Sequence, residues 1–77
     1  MTRVVVTVMP RSETLDPQGQ AVARALHQLD FDGLHDVRIG KRIVLEIAGD
    51  DPLGQAHAMC DKLLVNTLIE DYEVEAL

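Results

Sequence analysis

The stretch Asp16-Pro17-Gln18-Gly19-Gln20-Ala21-Val22-Ala23 returns thirty-five residues later as Asp51-Pro52-Leu53-Gly54-Gln55-Ala56-His57-Ala58, with six of eight positions identical. Each copy reads as a helix start. The Asp carboxylate can accept hydrogen bonds from the free N–H groups of a first turn, and the Pro, with fixed φ and no N–H, suits the first helical position. The shared Gly-Gln-Ala-x-Ala is not needed for capping and points to an internal repeat. Asp16 and Asp51 are therefore candidate caps of two equivalent helices, and the chain divides into two similar halves.

Working outward, Arg3-Val4-Val5-Val6-Thr7-Val8-Met9 is rich in β-branched residues and is stopped by Pro10, which predicts a strand with Val4, Val6 and Val8 facing a core. After Asp16 the apolar residues Val22, Ala25, Leu26 and Leu29 recur at helical spacing. Asp30-Phe31-Asp32-Gly33 is turn chemistry, with Phe31 expected against the core. Residues 34–38 and 42–48 read as two strands joined through Ile39-Gly40-Lys41, the glycine allowing a tight hairpin. Val37, Ile39, Ile43, Leu45 and Ile47 form their inward set. The second helix carries Ala56, Met59, Cys60 and Leu63 on one stripe, and a last strand covers residues 70–77.

The order is strand, helix, strand, strand, helix, strand. It predicts one α+β domain over residues 1–77, β-α-β-β-α-β, with two helices on one face of an antiparallel sheet, ferredoxin-like or a close variant. The uncovered face would hold Val5, Met9, Val44 and Ala48, with Thr7 and Glu46 among them. An apolar patch on so small a domain marks an interface, so self-association or partner docking is expected.

Composition narrows the function. One cysteine, Cys60, allows no disulfide within the chain and no cysteine-based zinc site. No apolar run is long enough to span a membrane, and the N-terminal residues lack the pattern of a signal peptide, so a soluble cytoplasmic domain is expected. The net charge is −6, with eight of the thirteen acidic residues in 42–77, and Phe31 and Tyr72 are the only aromatics. Such a surface repels phosphate backbones and offers little for bases to stack on, which argues against nucleic acid as a partner.

No constellation for catalysis stands out. Cys60 lies on an apolar stripe, and Ser12, Thr14 and Thr67 have no neighbouring histidine. His57, Cys60 and Asp61 have helical spacing for a metal, yet each has a simpler place, as a helix-surface pair or a packed thiol. Anion binding at either helix start is opposed by the capping carboxylates, leaving Arg11 and Lys41 as the cations beside it. Arg38, Lys41 and Arg42 flank the expected hairpin, either solvated or against an acidic partner. No catalytic, cofactor-binding or metal residue is assigned. A ferredoxin-like domain that senses small molecules is the alternative class.

Several segments together resemble a known family: Leu15-Asp16-Pro17-Gln18-Gly19, Ala25-Leu26, Leu29-x-Phe31, Val37-Arg38-Ile39-Gly40-Lys41, Leu63-Leu64-x-Asn66 and Ile69-Glu70-Asp71-Tyr72. The chain resembles PurS, the small subunit of phosphoribosylformylglycinamidine synthase, also called formylglycinamide ribonucleotide amidotransferase. The resemblance implies a non-catalytic subunit of de novo purine biosynthesis, a homodimer or higher oligomer. It would join a glutaminase subunit, PurQ, to a large ATP-dependent synthetase subunit, PurL, and support ammonia transfer between them. ATP, Mg and glutamine would be used by that complex, with none bound by this chain. Arg38, Gly40, Lys41, Asn66, Glu70 and Tyr72 match recurrent family residues and, with Arg11, are the candidate structural or partner-interface residues. Arg11 stands where the family often has Lys, Asp30 where it often has Gly, and Thr67 where Pro commonly follows the Asn.

Overall fold

The computed structural model describes residues Met1–Leu77. Its elements are β1 (Thr2–Pro10), α1 (Pro17–Gln28), β2 (Lys41–Ile47), α2 (Pro52–Met59), a π-helical turn (Cys60–Leu64) and β3 (Glu70–Ala76). The strands form one antiparallel sheet in the order β2-β1-β3. The valine-rich strand is central because it alone is apolar enough to be paired on both edges and packed beneath.

Register follows from the two-residue period. Val6 stands opposite Ile43 and Val74, Val4 opposite Leu45 and Ala76, and Val8 opposite Lys41 and Tyr72. These rows form the inner face, on which α2 lies. Val6, Val8, Cys60 and Val65 make one buried cluster, and Val4, Ile47 and Ala56 another. Each fully buried valine stabilises the fold by about 1.5–3 kcal/mol relative to exposure. The π-helical turn, closed by Val65 N–H donating to Cys60 O at 3.0 Å, lets Cys60 and Val65 both reach this core.

Both caps form as the repeat implies. Asp16 accepts from Gly19 N–H and Asp51 from Gly54 N–H, each at 3.0 Å. At its other end α1 stops in a Schellman arrangement: Asp30 N–H donates to His27 O at 3.1 Å and Phe31 N–H to Leu26 O at 3.2 Å, with Asp30 at φ 71.

The α+β class, the antiparallel sheet, the two helices and their order agree with the sequence reading, but the second segment of that order behaves differently. Residues 34–38 join no ladder and Ile39-Gly40-Lys41 is not a hairpin. Gly40 lacks a positive φ; among the glycines only Gly49 has one. The β1–β2 alignment, Val8 opposite Lys41, instead runs straight on, bringing Gly40 against Val8 O and Met9 Sδ. Arg38 Nη2 then reaches Pro10 O at 3.2 Å. Ile39 N–H, which a hairpin could have used, donates to Asp16 Oδ2 at 2.8 Å.

The consequence is an arm. Residues 11–40 leave the sheet, run out along α1 and return beside it, His27 Nε2 lying 2.8 Å from Leu34 O. Only α2 packs substantially on the sheet, so the expectation of two covering helices is corrected. The molecule measures 50 × 24 × 14 Å. Leu29 and Phe31, expected inside, are 66% and 58% exposed, because the arm holds them off the sheet.

Candidate interface at the end of the central strand

Pro10 ends β1, and the chain is held there by bonds to two other segments, residues 67–71 and Arg38. Arg11 N–H donates to Ile69 O at 2.9 Å, its Nη2 donates to Thr67 O at 2.9 Å, and the same guanidinium stands 3.6 Å from Asp71. Arg38 Nη2 donates to Arg11 O at 2.5 Å. These are side chains gripping main-chain carbonyls, the arrangement that fixes the path of loops.

The turn into β3 is built by Asn66. Its Oδ1 accepts from Leu68 N–H at 3.2 Å, its carbonyl accepts from Glu70 N–H at 2.8 Å, and its own N–H donates to Glu70 Oε1 at 2.8 Å. Glu70 in turn pairs with Pro10 across the sheet. Arg11, Arg38, Gly40, Lys41, Asn66 and Glu70, scattered over sixty positions, thus meet around one strand end. Lys41 is exposed there without an ion pair.

Asp16 joins this group, a second role beyond the cap. Its two carboxylate oxygens serve two N–H groups, and these bonds, that from Ile39 first and that from Gly19 next, hold its pKa below the usual aspartate value. The sequence signalled the cap but not the bond to Ile39, which depends on the arm folding back. Gly19 shares the constraint, since a Cβ there would strike Val37 O and the Asp16 carboxylate.

Tyr72 lies further along β3, on the inner face. Its hydroxyl donates to Asp61 Oδ1 at 3.0 Å and stands 3.2 Å from His57 Nδ1, with the two rings 5.7 Å apart. Burial and the Asp61 carboxylate raise its pKa. His57 and Asp61, expected from their spacing to pair directly, instead meet through the Tyr72 hydroxyl, which the sequence did not place between them. Cys60 points into the core, and burial pushes its thiol pKa up. No three His, Cys, Asp or Glu side chains converge as a metal centre.

The open sheet face carries Val5 opposite Val44 and Glu75, and Thr7 opposite Arg42 and Glu73. Met9 lies opposite Asp71, and Arg3 pairs with Glu46 at 3.1 Å. It is more charged than the sequence suggested, because β3 contributes only carboxylates to it. Ala48 lies beyond the end of β2, its carbonyl accepting from Gln55 at 3.3 Å, and adds nothing to the face.

Order, sheet and joint define a small α+β domain of the split βαβ kind. Residues 3–77 match the family model described as PurS, phosphoribosylformylglycinamidine (FGAM) synthase. The chain belongs to the PurS family. It is 49% identical over 74 residues to the phosphoribosylformylglycinamidine synthase subunit PurS of Mycobacterium leprae, covering 96% of this chain and 94% of that one. Among solved structures, it superimposes on PurS of Bacillus subtilis with a TM-score of 0.92 at 46% identity, covering 100% of this chain and 99% of that one. It also matches a chain in the structure of PurLQS from Thermotoga maritima, with a TM-score of 0.87 at 30% identity over 99% of this chain and 96% of that chain.

Proposed function

We propose that this chain is the small, non-catalytic subunit of a multi-subunit phosphoribosylformylglycinamidine synthase in purine biosynthesis. It bridges a glutaminase, PurQ, and an ATP-dependent synthetase, PurL, and supports ammonia transfer between them. The observation that carries this is the end-to-end likeness to a chain of the PurLQS structure. ATP, Mg and glutamine are used by the assembled complex, in the cytoplasm. No helix is long and apolar enough to cross a membrane. The relatives are synthase subunits, which favours this reading over a free-standing sensor of small molecules.

Within that role Arg11, Arg38, Gly40, Asn66 and Glu70 shape the strand-end joint, and Lys41 and Tyr72 lie at its margins. Self-association is part of the reading, because a domain of this size gains stability from it. Reconstitution tests the proposal. Glutamine-dependent amidine formation by the two partner subunits should require this chain, and full activity in its absence overturns the assignment.

A further inference from the structure

β3 is an outer strand of the sheet, with β1 on one side and no strand on the other. Its register with β1 is regular from end to end. Arg11 N–H donates to Ile69 O and Leu77 N–H to Arg3 O, each at 2.9 Å, and every pair between them keeps the same offset. Bonds in an antiparallel ladder fall on alternate residues, so the odd-numbered residues of β3 direct their main-chain groups to β1. Tyr72, Val74 and Ala76 therefore turn their N–H and C=O groups outward, where no strand meets them.

Edges of this kind are commonly blocked by a proline, a bulge or an inward-pointing charge. β3 has none of these: its inward side chains are Tyr72, Val74 and Ala76, and its pairing contains no extra residue. The charge lies on the other face. Asp71, Glu73 and Glu75 are exposed there, successive carboxylates about 7 Å apart along the strand. Asp71 has Arg11 at 3.6 Å, whereas Glu73 and Glu75 stand opposite Thr7 and Val5 and form no ion pair.

These carboxylates decide what can occupy the edge. The β3 of a second copy, added antiparallel, would pair even-numbered residues with even-numbered ones and odd with odd. Val74 against Val74 sets Glu73 opposite Glu75 twice. Tyr72 against Val74 sets Glu73 opposite Glu73 and Asp71 opposite Glu75. Like charges directly opposite destabilise a sheet, so this edge is unsuited to its own kind. A strand carrying Lys or Arg at alternate positions would meet attraction on the same face and lay its remaining residues beside Tyr72 and Val74.

We infer that β3 is a docking edge for an extended segment of a different protein, with Lys or Arg at alternate positions, which joins the sheet as a further strand. Main-chain bonds to Tyr72, Val74 and Ala76 hold the segment, and Glu73 and Glu75 select it. Placing that segment in one of the two larger synthase subunits rests on the proposed role.

Amide exchange in the reconstituted complex tests this. In the chain alone the Tyr72 and Val74 amides should exchange freely. With the glutaminase and synthetase subunits added separately, one of them should slow both amides by roughly a hundredfold. Glu73→Gln combined with Glu75→Gln should weaken binding of that subunit by roughly tenfold at low salt, with little effect at about 1 M. Asp36→Asn combined with Asp50→Asn removes two exposed charges elsewhere and should leave binding within about twofold. A complex in which the two amides still exchange freely, or in which the two double variants bind alike, overturns the inference and leaves the proposed role standing. Protection in the chain alone overturns it as well, since a second copy would then hold the edge. If neither subunit binds, both readings fall.

Discussion

Asp16 binds Ile39 across the arm, its Oδ2 accepting the Ile39 N–H at 2.8 Å while its Oδ1 caps α1 through Gly19. One carboxylate thereby fixes both the departure of the arm and its return. Asp51, its counterpart in the repeat, caps α2 and accepts no comparable second bond.

Substituting the two aspartates should expose that asymmetry. Asp51→Ala removes a cap and should lower the melting temperature by roughly 4–8 °C, the shift that about 1 kcal/mol makes in a domain of this size. Asp16→Ala loses the cap and the tie to Ile39, and should fall by roughly twice as much. Calorimetry at one protein concentration compares them; equal shifts would remove the second role of Asp16.

Acid should act through the same residue. The folded pKa of Asp16 lies below its unfolded value, so its stabilisation is fully present above the usual carboxylate range. It is lost as pH falls from about 4 through the folded value. Asn offers one carbonyl oxygen where Asp offers two acceptors, so Asp16→Asn should be less stable at pH 6. The gap between the proteins should narrow as the pH approaches 3. A gap independent of pH would count against this linkage.

Asp30 is the one non-glycine residue with positive φ, at the C-terminal cap of α1. A side chain in that conformation costs about 1 kcal/mol relative to glycine. Asp30→Gly should therefore raise stability in urea by about that amount without changing the slope of the transition.

At Gly40 a methyl group has nowhere to go. A Cβ would collide with Val8 O, which is main chain, and with Met9 Sδ, which can move. Gly40→Ala should destabilise by about 1–3 kcal/mol, and adding Met9→Ala should restore only part. Full recovery in the double variant would assign the whole clash to the sulfur.

Tyr72 is the only tyrosine, so ultraviolet titration reads it alone. Its ionisation should occur above the usual tyrosine range, because burial and the Asp61 carboxylate both oppose a phenolate. Asp61→Asn should bring the midpoint down toward that range, and an unmoved midpoint would leave burial as the whole cause.

The parts legible in the sequence were those governed by local chemistry. The caps at Asp16 and Asp51, the strand stopped by Pro10 and the inward set Ile43, Leu45 and Ile47 all depend on neighbours a few residues away. The path through Gly40 did not, since a glycine between two β-forming runs permits a turn without compelling one. The outcome rests on Asp16 and Arg38 meeting residues more than twenty positions distant. Leu29 and Phe31 were misplaced for that reason: their apolar character was read correctly, while the arm carries them away from the sheet. The resemblance marked several residues of the strand-end joint as candidates, but their meeting was not legible, because no spacing rule brings Arg11, Arg38 and Asn66 together.

The pairing of β1 with β3 bears on how the protein is made. Val4 lies opposite Ala76, so one edge of the central strand is supplied by β3, the last of the three strands to be made. Synthesis proceeds at about 5–20 residues per second, and for several seconds the valine-rich β1 has no β3 to pair with. The sheet completes only once β3 has been made, and contacts this distant in sequence make that step slow compared with forming either helix.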